Sequence, residues 1–537
     1  MKVKYQLLTL IIVSSFLLVI QSYGQTYISG EVSGTWTKES SPYVATADLV
    51  VEDSTQLLIE PGVQVLFKGN YELLVEGQLE AVGAEEDLIV FSKNNGYDFW
   101  AGLRFNESDS LSTLEFCKVE HGKADGSHGD GSSVERSGGG IYIYNSKIQI
   151  KNCVISNNSA DVYGGGIYGS PVLIENSEIK NNTANSNGGG IYTSGNNKIA
   201  IANCVFESNS GHNGGAIHND AQIIIAGSKF IHNSAGNTGG AVSTLDYLIT
   251  NSLFIDNNAS YGSAVWLRSD GQVNNSIFYD RYKRNRSFAP HFDYHVIVKN
   301  SIFKNISFYN QYGDLENLKL EYCNLDNSWD GVGNIFTDPG FVDPANGDFH
   351  LQANSPCVDA GHPSVIYNDA DGSRNDMGIY GGSGVAVNPT TIDFGSLGYG
   401  QTRQELFTFY NFSEDDFVIQ SAEPMDMENF AVTVNFPLTI PSMTSDTIAV
   451  EFHPHTSGEI QSQVQITSAD FNGAQHAYLD IRGIGGVFTG EVSGTWSREN
   501  SPYIIGDDVT VPENKTLTIE PGVIVYIDTT YGNSRIN

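Results

Sequence analysis

One segment returns along the middle of the chain at a nearly fixed interval. Asn152-Cys153-Val154-Ile155-Ser156-Asn157-Asn158 recurs as Asn176-Ser177-Glu178-Ile179-Lys180-Asn181-Asn182. Shorter copies follow at Asn203-Cys204-Val205-Phe206, Gly227-Ser228-Lys229-Phe230, Asn251-Ser252-Leu253-Phe254, Asn275-Ser276-Ile277-Phe278 and Asn300-Ser301-Ile302-Phe303. The second residue of each copy stands at 153, 177, 204, 228, 252, 276 and 301, so the steps are 24, 27, 24, 24, 24 and 25. Between the copies sits a glycine element, Gly164-Gly165-Gly166-Ile167-Tyr168, Gly188-Gly189-Gly190-Ile191-Tyr192, Gly214-Gly215-Ala216-Ile217 and Gly239-Gly240-Ala241-Val242. A unit this short cannot bury its apolar face alone, so the units must stack. Within a unit the apolar residues alternate, as in Ile148-x-Ile150 and Cys153-x-Ile155, which is the period of a strand with one face inward. The pattern predicts one three-stranded coil of a parallel β-helix per unit.

The parity of the alternation shifts at residues 151 and 152, which places a bend there. Asparagine suits it, because its side chain bonds nearby backbone and tolerates left-handed geometry. Stacked Asn152, Asn176, Asn203, Asn251, Asn275 and Asn300 are expected to form a ladder, each side chain bonding its neighbour one coil away. The glycines are expected at tight corners where coils pack closely. Cys153 and Cys204 fall in the same inward slot as Ser177, Ser228, Ser252, Ser276 and Ser301, and Cys117 and Cys323 continue it. The slot wants a small residue, so these cysteines read as packing residues. A disulfide between Cys117 and Cys153 is the alternative. Five cysteines this far apart make no disulfide framework.

The paired signature Phe206-Glu207-Ser208-Asn209 before Gly214-Gly215-Ala216-Ile217, repeated as Phe230-Ile231-His232-Asn233 before Gly239-Gly240-Ala241-Val242, resembles the polymorphic outer-membrane-protein repeats of bacterial surface adhesins. The resemblance covers about residues 138–265 of a repeat region running 138–303. It implies an exported protein with an adhesive role. Further on, Asp338-Pro339-Gly340-Phe341-Val342-Asp343-Pro344, Gly347-Asp348-Phe349-His350-Leu351, Ser355-Pro356-Cys357-Val358-Asp359-Ala360-Gly361 and Asp371-Gly372-x-Arg374-x-Asp376-x-Gly378-Ile379-Tyr380 resemble the choice-of-anchor Q segment that ends some bacterial surface β-helices.

The expected organisation follows. Residues 1–24 read as a signal peptide, with Lys2 and Lys4 before an apolar stretch from Leu7 to Ile20 and small residues before Gln25. An uncleaved anchor is the alternative, and no later segment is apolar enough to span a membrane. Residues 25–384 are expected to be all-β, a right-handed parallel β-helix of the pectin-lyase type, with an N-terminal cap at 27–67 and a choice-of-anchor Q-like end at 334–384. Residues 385–485 change to about seven short alternating strands, which predicts an immunoglobulin-like sandwich and resembles the choice-of-anchor D module. Finally, Gly490-Glu491-Val492-Ser493-Gly494-Thr495-Trp496 copies Gly30-Glu31-Val32-Ser33-Gly34-Thr35-Trp36, and residues 490–523 match 30–63 at 19 of 34 positions without a gap. A second β-helix is therefore expected to start within 486–537. A solenoid start with nothing stacked on it cannot cover its apolar face, so the chain is expected to be a piece of a longer protein.

Charge bounds the function. The chain carries 28 Lys plus Arg against 62 Asp plus Glu, a formal net charge of −34. Such a surface repels phosphate backbones, which argues against nucleic acid, and leaves divalent cations as partners. Asp369, Asp371 and Asp376, in Asn368-Asp369-Ala370-Asp371-Gly372-Ser373-Arg374-Asn375-Asp376, offer hard oxygen ligands of the kind calcium takes. The alternative is a hydrogen-bonded turn with Arg374 paired to Asp371 or Asp376. The loop Glu120-His121-Gly122-Lys123-Ala124-Asp125-Gly126-Ser127-His128-Gly129-Asp130 carries His and Asp that could hold a metal, or is a solvated insertion between coils. No catalytic residue stands out. The expected function is an exported cell-surface or secreted adhesin-like protein, associated with the outer membrane or cell surface and binding glycans or surface proteins. The alternatives are a polysaccharide lyase-like enzyme and a structural surface-layer component.

Overall fold

The computed structural model describes residues 24–527 except 129–130, 196–197, 285, 292, 311–314, 400, 414, 472–475 and 499–500. The expected signal peptide lies almost wholly outside the described residues. Helix among the described residues is limited to three 3₁₀ turns, Lys38–Ser40, Pro344–Asn346 and Val365–Tyr367. No described helix is long and apolar enough to cross a membrane.

From Thr26 to Leu325 the strands stack in parallel, coil on coil, as the repeat predicts. Most coils contribute one strand to each of three main faces, and five of them add a short strand to a further parallel sheet, from Lys123–Ala124 to Ser234–Thr238. The first sheet holds the strands after the asparagine bend, such as Val154–Ser156, Glu178–Lys180, Val205–Glu207 and Lys229–Ile231. The second sheet holds those before the bend, such as Lys147–Lys151, Leu173–Glu175, Ile199–Ala202 and Ile223–Ala226. The third sheet holds those after the glycine element, including Glu72–Val75, Gly102–Asn106, Ile141–Tyr144, Ile167–Tyr168, Ile191–Thr193 and Ile217–Asn219. Like residues sit over like: Ile155, Ile179, Phe206, Phe230 and Phe254 pair in one inward row. The rings of Phe206, Phe230, Phe254, Phe278 and Phe303 stack at 4.7–4.9 Å along the axis. Each fully buried ring contributes roughly 1.5–3 kcal/mol of transfer free energy, and each stacked pair about 0.5–1.5 kcal/mol more. The stretch read as a cap is itself coiled, since Thr26–Glu31 already pairs in parallel with Tyr43–Val51.

The bend behaves as expected, but the ladder stands elsewhere. Asn152, Asn176, Asn203, Asn251, Asn275 and Asn300 all take left-handed φ between 45° and 53°. Within that row a direct bond joins Asn300 Nδ2 to Asn275 Oδ1 at 3.2 Å, while Asn152 turns to Glu115 and Asn251 to the carbonyls of Ile379 and Gly381. The continuous ladder is Asn158, Asn182, Asn209, Asn233 and Asn257, the asparagine of the Phe-x-x-Asn pattern. The Oδ1 atoms of Asn182, Asn209, Asn233 and Asn257 each accept both the N–H and the Nδ2–H of the asparagine one coil before, at 2.9–3.1 Å, and Asn158 Oδ1 accepts the Gly122 N–H at 2.8 Å. These residues are buried at the second turn of the coil, where an unpaired polar group is costly and a fully bonded one is not.

The small-residue slot is a second ladder. The N–H groups of Cys153, Cys204, Ser228, Ser252 and Ser276 donate to the serine Oγ one coil on, at 3.0–3.3 Å. Cys117 N–H approaches Cys153 Sγ at 3.4 Å, and all five cysteines are buried thiols. Burial pushes the Cys204 and Cys323 thiols up to about 12, so they stay protonated and inert.

The stretch expected to end the helix runs back along its flank instead. An antiparallel hairpin, Phe341–Asp343 with Asp348–Leu351, leads a strap whose Phe341, Phe349, Cys357 and Met377 pack on outward-facing Leu253, Ile255, Ile277 and Ile302 of the first sheet. Beyond it, two four-stranded sheets form a sandwich. One comprises Val385–Asn388, Arg403–Asn411, Thr444–Phe452 and Phe430–Val432; the other Thr391–Leu397, His476–Gly485, Gly458–Thr467 and Ser421–Pro424. The sandwich leans on the second sheet, where Ala386 and Tyr410 meet Ile224 and Leu248 and Gln272 Nε2 donates to Asn388 Oδ1 at 2.9 Å.

Residues 487–527 repeat the opening coils. Val487 pairs with Ile504 as Tyr27 pairs with Val44, and both pairings shift register at the same place. Trp496 stacks on Tyr503 at 4.7 Å as Trp36 does on Tyr43 at 4.6 Å. Ser497 N–H reaches the Tyr503 hydroxyl as Thr37 N–H reaches that of Tyr43. A second parallel β-helix thus starts after the sandwich.

Candidate functional site

The third sheet presents the chain's most distinctive outer row. Its strands alternate, so Ile141 and Ile143 point inward and Tyr142 and Tyr144 outward. Parallel register then lines up Arg104, Tyr142, Tyr168, Tyr192, His218, Ser243 and Trp266 on successive coils. The rings stack face to face, with centroids 5.0 Å apart for Tyr142–Tyr168, 5.5 Å for Tyr168–Tyr192 and 5.6 Å for Tyr192–His218. Tyr163, from the loop before Gly164, adds a ring 4.5 Å from Tyr192. With their faces against one another, the rings offer little more than edges: Tyr142 and His218 are buried, and Tyr168 and Tyr192 are partly exposed. Burial pushes the Tyr142 and Tyr192 hydroxyls up to about 12, so they remain neutral donors.

Charged groups close both ends of the row. At the upper end Asp220 accepts from Arg268 Nη2 at 2.7 Å and from the Tyr192 hydroxyl at 3.3 Å, with His218 Nε2 at 3.4 Å. His218 and then Arg268 hold its carboxyl well below the usual range, while burial holds His218 itself down. At the lower end the Arg104 guanidinium lies 5.1 Å from the Tyr142 ring centre, and its Nη1 donates to the carbonyls of Ser137 and Val134 at 3.0 and 3.3 Å. The loop carrying those carbonyls brings His128 against the first coils. Its Nε2 lies 3.0 Å from Asp48 Oδ1, and its Nδ1 lies 3.5 Å from both Glu72 Oε2 and Glu135 Oε2. Burial alone would lower the His128 pKa, but the Asp48 bond and the surrounding carboxylates raise it. Burial raises Glu72 against the pull of His128 and Arg104.

Among the described residues, Glu72, His128 and Glu135 are the three whose donor atoms converge as metal ligands do. His128 belongs to the loop singled out in the sequence, and Asp130 of that loop lies outside the described residues. His121 sits 3.8 Å from Glu120, and Asp125 pairs with Lys123 at 2.9 Å. Asp369, Asp371 and Asp376 are not such a converging group. Asp369 accepts the N–H of Gly382 at 2.6 Å and of Asp376 at 3.1 Å. Asp371 accepts the N–H of Ser373 at 2.9 Å, and Asp376 that of Asp359 at 2.7 Å. Arg374 does not pair with either aspartate as the turn alternative expects, because its Nε donates to the Gly361 carbonyl at 2.6 Å. On the lyase alternative, Asp256 and Asp280 lie on successive coils, but each is taken by its own arginine, Arg281 at 2.9 Å and Arg284 at 2.8 Å.

Residues 81–254 match the family model of the right handed beta helix region. Residues 384–484 match that of the HYDIN/CFA65/VesB-like Ig-like domain. No curated protein matches the chain. Similar solved structures include a protein of unknown function from Porphyromonas gingivalis W83, at 15% identity over 19% of this chain and 46% of that one, with a TM-score of 0.17. Another is the secreted serine protease VesC from Vibrio cholerae, at 13% identity over 17% of this chain and 21% of that one, with a TM-score of 0.15. The PapD-like domain of human CEP192 is similar at 14% identity over 19% of this chain and 85% of that one, with a TM-score of 0.16. This chain thus spans about half the length of the first and a fifth of the second. The two family-model matches agree with the strands in making the body of the chain a right-handed β-helix followed by an Ig-like module.

Proposed function

We propose that the chain is an exported surface protein that binds a neutral glycan along the outer row of the third sheet. The observation that carries the reading is the stack Tyr142, Tyr168, Tyr192 and His218 at coil spacing. Tyrosine offers an apolar body and a polar tip and loses little entropy on contact, which is why it concentrates at recognition surfaces. Tyr168 and Tyr192 are the partly exposed rings of the row, with Asp220 and Arg268 at one end as a charged bracket. The net charge of −34 disfavours a polyanionic ligand.

The sequence supports the exported location. The basic and apolar start of residues 1–24, the adhesin-like Phe-x-x-Asn and Gly-Gly-Ala-Ile pairs and the choice-of-anchor Q-like text of 334–384 all favour a secreted or outer-membrane surface protein of adhesin type. A glycan array probed with the full chain and with Tyr168→Ala plus Tyr192→Ala tests the reading. Binding to neutral glycans that falls at least tenfold in the double variant is expected. Binding that the double variant keeps, or capture of surface proteins with no glycan bound, would overturn it. Release of unsaturated products from uronate polymers would replace it with the lyase alternative.

A further inference from the structure

The loop 125–137 carries a cluster that hydrogen bonding alone does not satisfy. The short His128 Nε2 contact to Asp48 Oδ1, 3.0 Å, makes Nε2 the donor. Nδ1 faces Glu72 Oε2 and Glu135 Oε2 at 3.5 Å each, and with a metal ion bound it would be the ring nitrogen that offers the lone pair. Neither contact is a hydrogen bond. His128 Nδ1 and Glu135 Oε2 are both closed off from solvent and have no hydrogen-bond partner. Lone pairs converging in a shielded place call for a positive charge between them.

Arg104 supplies only part of that charge, as an ion pair with Glu72 alone. Its Nη1 is held by two carbonyls, and its Nε stands 3.7 Å from Glu72 Oε2, too far to bond. The distances fit a bound cation. A tetrahedral ion with bonds of about 2.0–2.2 Å sets its ligand atoms about 3.4 Å apart, close to the two 3.5 Å separations.

We propose that Glu72, His128 and Glu135 form a three-ligand site for a divalent transition cation of the zinc class. Imidazole with carboxylates is a borderline donor set that such ions take, whereas calcium prefers six or more oxygens. Asp48 orients the imidazole through Nε2, the usual outer partner of a ligating histidine. The three ligands come from a strand of the third sheet and from two points of the loop, so the ion ties the loop to the early coils. Three protein ligands leave a fourth position open. The proposal does not depend on the glycan reading.

The test uses the full chain without a histidine tag, stripped with a chelator and dialysed against metal-free buffer. Bound zinc is measured by elemental analysis and by competition with a chromophoric chelator, for the wild type and for His128→Ala, Glu135→Gln, Asp48→Asn and the remote His232→Ala. Circular dichroism establishes that each variant is folded, and the conservative Glu135→Gln is read alone if His128→Ala is not. About one zinc per chain is expected in the wild type and in His232→Ala, none in His128→Ala or Glu135→Gln, and about 10–100-fold weaker binding in Asp48→Asn. No stoichiometric zinc on the folded wild type, or zinc retained by folded Glu135→Gln, would overturn the site. Calcium held in preference to zinc would overturn its donor class.

Discussion

Replacing Asn209 by alanine tests whether the buried asparagine row holds the coils together. Asn209 is fully buried. Its Oδ1 accepts the N–H and the Nδ2–H of Asn182, both at 3.1 Å. Its Nδ2 donates to the Ile179 carbonyl at 2.7 Å and to Asn233 Oδ1 at 3.0 Å. Alanine removes all four bonds and strands the Asn182 N–H in the interior. An orphaned buried donor costs ~1–3 kcal/mol and each further bond contributes ~0.5–1.5 kcal/mol net, so the loss should be about 4 kcal/mol. The bend residue Asn203 of the same coil is exposed, with φ 53°, so Asn203→Gly should cost no more than about 0.5 kcal/mol. Solenoids open locally, so the readout is hydrogen exchange by mass spectrometry on peptides spanning 176–236. Protection there should fall about a thousandfold in Asn209→Ala and stay near wild type in Asn203→Gly. A loss below tenfold in Asn209→Ala, or equal losses in the two variants, would refute the reasoning.

Two further outcomes follow from the packing. A Cβ on Gly215 would meet the Gly240 carbonyl oxygen at 2.1 Å and that of Ser234 at 2.5 Å, whereas one on Gly236 meets only the His212 ring at 3.2 Å. Gly215→Ala should therefore destabilise by about 2–3 kcal/mol and Gly236→Ala by no more than about 0.5 kcal/mol, compared by thermal unfolding. Burial holds the His362 pKa down to about 4, with Lys299 and Arg374 adding to it and Asp480 opposing. The folded ring then binds fewer protons than the unfolded one between about pH 4 and 6.5, so its contribution is lost as pH falls through that window. Allowing for its partial exposure this amounts to about 1 kcal/mol. Limited proteolysis of 355–384 should accelerate from pH 7 to pH 5 in the wild type and less so in His362→Asn.

The coil was legible because its constraints repeat. Phe206, Phe230, Phe254 and Phe278 fall at one interval, and only stacking explains that. The role of the asparagines was harder to read, because Asn203 and Asn209 recur with the same period. What separates them is the turn at Ser208, whose left-handed φ of 56° flips the parity and brings Asn209 inside. The strap left a signal that strand alternation alone does not use. Leu253, Ile255, Ile277 and Ile302 are apolar on both sides of their strands, as they must be when something covers the outer face. The tyrosine row was half visible in Ile167-Tyr168 and Ile191-Tyr192, but Tyr163 joins it only through the loop's path. The His128 cluster had no local motif. Asp48 and Glu72 lie 80 and 56 residues before it, and only the register of the first coils brings them to the loop.

The central claim is that like positions rise one strand spacing per coil, and paired spin labels measure that rise. Gln64, Val90, Lys118, Val154, Glu178, Val205 and Lys229 follow one another on the outside of the first sheet. Gln64, Glu178 and Lys229 are exposed and take labels through introduced cysteines, the native thiols being buried. At about 4.8 Å per coil, the backbone separation is about 19 Å for Gln64 with Glu178 and about 29 Å for Gln64 with Lys229. Dipolar distances that differ by about 10 Å between the two pairs are predicted, and two equal distances, or a shorter one for the more distant coil, would contradict the stacked-coil account.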